Sequence, residues 1–122
     1  MIDHVTLQVA DVATSRRFYE AVLAPLGGHV AMADDFSVGF FGASPGSFWL
    51  IPAQRDEDRE LHIAFAAADR AQVRAFHQAA VGIGAAVLHE PGLFPEYHES
   101  YYGAFVRDPD GHNVEAVCHE PE

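Results

Sequence analysis

His4-Val5-Thr6-Leu7-Gln8-Val9 is written again 58 residues later as His62-Ile63-Ala64-Phe65-Ala66-Ala67. In both places an aspartate follows, Asp11 and Asp69, and then a helical pattern. Arg16 recurs as Arg74, Phe18 as Phe76, and Ala10, Ala13 and Ala21 as Ala68, Ala71 and Ala79. A repeat of this length is one supersecondary unit used twice, and it decides the fold. It also gives each copy a histidine at the same structural address.

Outward from the repeat, Val5, Leu7 and Val9 alternate with His4, Thr6 and Gln8, which predicts a strand over 4–10. Asp11 suits a helix N-cap, and Phe18, Tyr19, Val22, Leu23 and Leu26 follow helical spacing. Pro25 and Gly27-Gly28 close that helix. A short strand over 29–33 follows, then strands over 36–41 and 47–52 around the turn-rich run Gly42-Ala43-Ser44-Pro45-Gly46. The second copy has a strand over 61–67, a helix capped by Asp69 and ended by Gly82 and Gly84, and a strand over 85–89. A loop over 90–100 leads to a hairpin of 101–107 with 112–118 around Asp108-Pro109-Asp110-Gly111. The charged run 54–60 between the copies reads as a solvated linker. The fold class is therefore α+β: two βαβββ modules, about 1–53 and 61–119, in a single domain over 1–122, with curved, mostly antiparallel sheets.

Composition narrows the function. At 122 residues and 49% hydrophobic, the chain can bury a core. Eighteen Asp and Glu against seven Arg and no Lys give a net charge of −11. That field repels phosphate backbones and anionic membranes, so neither nucleic acid nor membrane is an expected partner. The lack of Lys excludes Schiff-base chemistry on a lysine. No apolar run approaches the roughly 20 residues of a membrane span, and the chain opens directly into a strand pattern with no leader. Cys118 is alone, so no intrachain disulfide forms, and a cytoplasmic location is expected.

His4 and His62 point away from the apolar face of their strands. Glu115 lies in Asn113-Val114-Glu115-Ala116-Val117-Cys118, a strand too apolar to accept an unpaired carboxylate. Two imidazoles and one carboxylate with open coordination positions suit a divalent metal and leave room for substrate. An offset of 65 residues late in the chain aligns Leu50 with Glu115. Asp11 and Asp69 read as caps, Phe18 and Phe76 as core, and Asp108 and Asp110 as turn formers. His29, His77, His89, His112 and His119 take a structural reading.

Asp3-His4-Val5-Thr6-Leu7-Gln8-Val9, with Asp11 and Phe18-Tyr19, resembles the opening of a vicinal oxygen chelate module. Phe105-Val106-Arg107-Asp108-Pro109-Asp110-Gly111-His112-Asn113-Val114-Glu115 resembles the closing hairpin of the same superfamily, that of glyoxalases, bleomycin-resistance proteins and extradiol dioxygenases. The resemblance covers nearly the whole chain. It implies two βαβββ modules enclosing a metal cup, with His4, His62 and Glu115 at three of the ligand positions. It further implies one divalent ion (Fe, Mn, Ni or Zn) activating vicinal oxygens of a small organic substrate, by lyase or isomerase, epoxide-opening transferase or dioxygenase chemistry. One position departs from glyoxalase I, which resembles this chain but carries a second glutamate where this chain has Leu50, or Trp49 if the alignment slips by one. The departure argues against lactoylglutathione lyase.

If Asp108–Gly111 is a four-residue loop, Arg107 pairs with His112, Ala104 with Glu115 and Tyr102 with Val117. Opposed residues share a face, so Tyr102 is expected in the cup as a hydrogen-bond donor or acid. The first module would add Phe48, Leu50 and Phe41. His98 lies in the longest loop, where a lid can form. The alternative function is a metal-free, drug-sequestering protein of the bleomycin-resistance type, which needs the cavity but not the triad. Half-sheets open at the edge invite a second chain, so a homodimer is expected, and the site could be built within one chain or across two.

Overall fold

The computed structural model describes residues 1–54 and 60–122. Most of the charged run 54–60 therefore lies outside the described residues. The first unit runs β1 (His4–Val9), α1 (Val12–Leu23), β2 (His29–Ala33), β3 (Val38–Phe41) and β4 (Ser47–Pro52). The second runs β5 (His62–Ala66), α2 (Arg70–Gly82), β6 (Val87–Leu93), β7 (Tyr102–Arg107) and β8 (Asn113–Cys118). Each unit makes a four-stranded sheet, ordered β1-β4-β3-β2 and β5-β8-β7-β6. β1 runs parallel to β4 and β5 to β8, and the other neighbours are antiparallel. This is the α+β architecture that the repeat predicts, with two helices on two mixed sheets.

Local chemistry fixes the helices. Asp69 caps α2 by accepting the Gln72 N–H at 2.8 Å. Asp11 holds the equivalent position before α1 but makes no cap bond, because its carboxylate accepts the Thr14 hydroxyl instead. That bond leads the causes that hold its pKa below the ordinary aspartate value. A 3-10 turn over Ala24–Leu26 extends α1, and Gly27, at φ 85°, takes the left-handed conformation that ends it.

The core lies between the two sheets. Leu7 and Val9 of β1, Phe48 and Leu50 of β4, and Val114, Ala116 and Cys118 of β8 are buried against α1 and α2. Tyr19 on α1 sits 4.8 Å from Phe48, ring centre to ring centre, and Phe48 meets Phe65 of β5 edge-on at 5.2 Å. Each such side chain stabilises the fold by about 1.5–3 kcal/mol through burial. Tyr19 also reaches across the chain, its hydroxyl donating to Asp108 at 2.7 Å. Asp110 accepts the Ala10 N–H at 2.9 Å. The closing turn of the second unit is thereby tied to the first unit, a role beyond turn formation.

Two sequence expectations change. β6 continues through Pro91 and Gly92 to Leu93, residues expected in the loop. The β7–β8 loop holds five residues, not four: Arg107 pairs with Asn113, Phe105 with Glu115 and Tyr102 with Cys118. The cause is Asp108, whose carboxylate accepts the N–H groups of Asp110 and His112 and draws His112 into the turn. The buried His112 ring in turn accepts the Leu61 N–H at 2.9 Å.

Candidate functional site

Because the apolar faces of the sheets meet across the helices, the alternate residues face outward. On β8 and β5 these are Glu115 and His62, brought together across the parallel pairing of the two strands. His62 Nε2 lies 2.9 Å from Glu115 Oε1. Glu115 is 1% exposed although it is on the outer face. The Tyr101 hydroxyl covers its other oxygen and donates to Oε2, and the Phe105 ring stacks on His62 with centres 5.9 Å apart. Gly103 makes the room, since a Cβ there would stand 3.2 Å from Glu115 Oε2. Burial, then the hydrogen bond to Glu115, hold the Tyr101 phenol above the ordinary tyrosine range.

Tyr101, not Tyr102, is thus the phenol at Glu115. Tyr102 faces α2 under the Arg70 guanidinium, 5.0 Å from the ring centre. The one-residue slip in the hairpin explains the change, since it moves every side chain to the other face.

The first sheet carries the pseudo-symmetric position. β1 pairs Thr6 with Trp49 as β5 pairs Ala64 with Glu115. Trp49, the alternative alignment, therefore stands where Glu115 stands, and Leu50 is fully buried in the core with Phe48. Neither Leu50 nor Phe48 lines the outer face. Phe41 does, edge-on to Trp49 at 6.1 Å. Trp49 lies over Gly39, where a Cβ would fall 2.6 Å from its ring, and its indole N–H donates to Ser47 at 2.9 Å.

His4 is on the outer face of the first sheet, 58% exposed in its side chain, with Nδ1 2.8 Å from the Asp3 carboxylate. It does not meet His62 or Glu115. Among the described residues no three His, Cys, Asp or Glu side chains gather as a metal-binding group. One chain therefore presents two adjacent polar groups, a ring nitrogen and a carboxylate oxygen, with the third candidate, His4, on the other sheet.

Rings surround the two donors. Phe94 packs against Phe105 at 5.2 Å, against Tyr101 at 6.2 Å and flat against Tyr97 at 6.0 Å. His89, read from sequence as structural, packs edge-on to Phe94 and Phe105. His98 meets His119, with Nε2 and Nδ1 2.6 Å apart, and both rings flank Tyr101. The sequence likewise gives His119 a structural reading and places Tyr101 at the start of the last hairpin without a role at the site. A correct hairpin register would have placed Tyr101 here.

A separate cavity of about 560 Å³ opens between the units and is lined by Val5, Phe40, Phe48, Ile63 and Phe65, with Asp3 and His4 among its polar lining. No helix among the described residues is long and apolar enough to cross a membrane.

Comparison with solved structures gives the same architecture. A glyoxalase/bleomycin resistance protein from Albidiferax ferrireducens T118 is 28% identical, with a TM-score of 0.85 over 97% of this chain and 98% of that one. A lactoylglutathione lyase from Agrobacterium tumefaciens is 20% identical, with a TM-score of 0.73 over 97% and 92%. A glyoxalase/bleomycin resistance protein/dioxygenase family enzyme from Burkholderia phytofirmans PsJN is 14% identical, with a TM-score of 0.76 over 97% and 98%. At these last two identities the likeness is one of fold. No curated protein matches the chain. The model of the glyoxalase/bleomycin resistance protein/dioxygenase superfamily matches residues 1–116, and the chain belongs to that superfamily.

Proposed function

We propose that this protein is a metal-dependent enzyme acting on a small organic substrate, and that its metal site is completed by a second copy of the chain. The observation that carries the reading is the pair His62 Nε2 and Glu115 Oε1 at 2.9 Å. Two ligands of one ion lie at about this spacing, and imidazole with carboxylate suits Fe, Mn, Ni or Zn. The pair fits half of a site. His4, the donor with the matching address in the repeat, supplies the rest if it comes from another copy.

The sheet edges favour that assembly. β1, which carries His4, and β5, which carries His62, each end their sheet. Two such edges in a pair of copies can meet twice about a two-fold axis. Each site then takes His62 and Glu115 from one protomer and His4 from the other.

A divalent ion held there supplies Lewis-acid stabilisation of charge developing on substrate oxygen. The chain's own groups do the rest. Glu115 is held in one orientation by Tyr101 and His62. Phe94, Tyr97 and Phe105 present an apolar wall that orients a substrate and excludes water. The first sheet offers Trp49 where a second carboxylate would stand, so the reading is of two-His-one-Glu chemistry, as in isomerisation, epoxide opening or oxygenation, and not of lactoylglutathione lyase. The lone buried Cys118 fits a cytoplasmic protein.

Metal analysis of mixed variants tests the reading. His4→Ala and Glu115→Ala proteins should each bind no zinc or nickel at the site. Unfolded and refolded together, they form mixed dimers in which one site has both His4 and Glu115 intact, and binding should return in part. No recovery on mixing would show that the donors do not come from two chains. Unchanged metal content in either single variant would remove that residue from the ligand set.

The second reading is a metal-free binder of a flat ligand, of the bleomycin-resistance type. The ring cluster of Phe94, Tyr97, Tyr101 and Phe105 beside Glu115 favours it. Tight binding of an aromatic ligand that a chelator leaves unchanged would support this second reading over the first.

A further inference from the structure

His98 and His119 come from distant segments and meet beside Tyr101, and their hydrogen bonds fix where each proton must be. His98 Nδ1 accepts the Ser100 N–H at 3.1 Å, so that nitrogen is unprotonated. His98 Nε2 therefore carries the hydrogen and donates it to His119 Nδ1 at 2.6 Å. His119 must then offer a bare Nδ1. Both rings are neutral in this arrangement. A proton added to His119 at Nδ1 sets two N–H groups against each other and breaks the bond between the rings. A proton added to His98 at Nδ1 breaks the bond from Ser100. Either way one bond is lost.

The rings bear on the candidate site through one side chain. The Tyr101 ring lies edge-on to His98 at 5.5 Å and to His119 at 5.3 Å, and its hydroxyl donates to Glu115. Tyr101 is also joined to His98 along the backbone, its N–H donating to the His98 carbonyl at 3.2 Å. The other rings on Tyr101 are Tyr97, at 4.9 Å, and Phe94, at 6.2 Å. Glu96 and Glu99 neighbour His98 in sequence, Glu120 neighbours His119, and Glu115 lies beyond Tyr101. Neither imidazole is hydrogen-bonded to any of these carboxylates.

We propose that His98 and His119 are positioning residues that latch the 94–101 loop to the segment after β8 and so hold Tyr101 on Glu115, and that the latch closes only while both rings are neutral. When acid adds a proton to either ring, the latch opens, Tyr101 leaves Glu115 and the site loosens. The reverse holds on raising the pH. The consequence for the metal site rests on the function proposed above, whereas the latch itself does not.

Hydrogen exchange of the metal-free protein separates the two, because it reads the loop whether or not a metal binds. After correction for intrinsic rates, the 94–101 amides of the wild type should lose protection between pH 8 and pH 5.5. The expected loss is on the order of threefold to tenfold, the weight of one hydrogen bond. His119→Ala should show the low protection at both pH values. His119→Asn is the decisive variant, since its side-chain oxygen replaces the Nδ1 acceptor for His98 Nε2, and it should keep the loop protected at pH 8, where His119→Ala does not. If wild-type protection does not change with pH, or if His119→Asn behaves like His119→Ala, the latch is overturned. If the latch holds but the mixed variants bind no metal, only the functional reading falls.

Discussion

Trp49 and Glu115 occupy the same place in the two halves of this chain, each facing outward from the fourth strand of its unit with a glycine making room for it. The duplication kept the address and changed the chemistry. One sheet presents a carboxylate beside a histidine, and the other presents an indole on the same face as a histidine.

That indole gives a direct probe, because Trp49 is the only tryptophan. In the proposed dimer the partner's Trp49 faces the metal held by His62 and Glu115. Nickel or cobalt binding should therefore quench tryptophan fluorescence in proportion to site occupancy. The quenching should vanish in Glu115→Gln and weaken on dilution below the dimer dissociation constant. Full quenching in a verified monomer would place the metal elsewhere.

Leu50 provides the opposite control. It is fully buried beside Leu7 in the core and has no part on the outer face. Leu50→Ala should cost about 2–5 kcal/mol in urea unfolding through the cavity it leaves, with metal stoichiometry unchanged. A loss of metal without loss of stability would restore Leu50 to the site.

One residue of loop length separates the site read from sequence from the site in the structure. The repeat revealed the fold because strand alternation and helical spacing are local, and His4 and His62 share a register that nothing later in the chain disturbs. The closing turn depends on the Asp108 side chain, which captures two backbone N–H groups and adds His112 to the loop. Because side chains alternate, that single addition exchanged Tyr102 for Tyr101 and Ala104 for Phe105, and the matching shift of alignment exchanged Leu50 for Trp49. The parity of the buried Leu7, Val9 and Phe48 was a usable signal, since Phe48 and Leu50 share that apolar pattern and Trp49 does not. The contact of Tyr19 with Asp108, 89 residues apart, leaves no trace in local pattern, and neither does the meeting of His98 with His119.

Gly39 should tolerate no side chain. A Cβ at this position would fall 2.6 Å from the Trp49 ring, closer than atoms can pack, so Gly39→Ala must displace the indole. The expected result is a shifted tryptophan emission maximum and a loss of about 1–3 kcal/mol from overpacking. An unchanged spectrum would mean that the ring does not lie over Gly39.

The tie between Tyr19 and Asp108 should make the protein weaken in alkali. Burial, and then the nearby Asp108 charge, raise the Tyr19 phenol far above its ordinary value; Tyr101 is raised by burial and by Glu115. A group whose folded pKa is raised contributes stability that is fully present below its unfolded value, about 10 for tyrosine, and is lost as pH climbs beyond it. Unfolding free energy should thus decline as pH rises above about 10. Tyr19→Phe should cost about 1–3 kcal/mol at neutral pH, because the buried Asp108 carboxylate loses a donor, and should flatten the alkaline decline. Urea unfolding of wild type and Tyr19→Phe at neutral and alkaline pH measures both effects, and equal alkaline slopes in the two proteins would show that the phenol does not couple the halves of the chain.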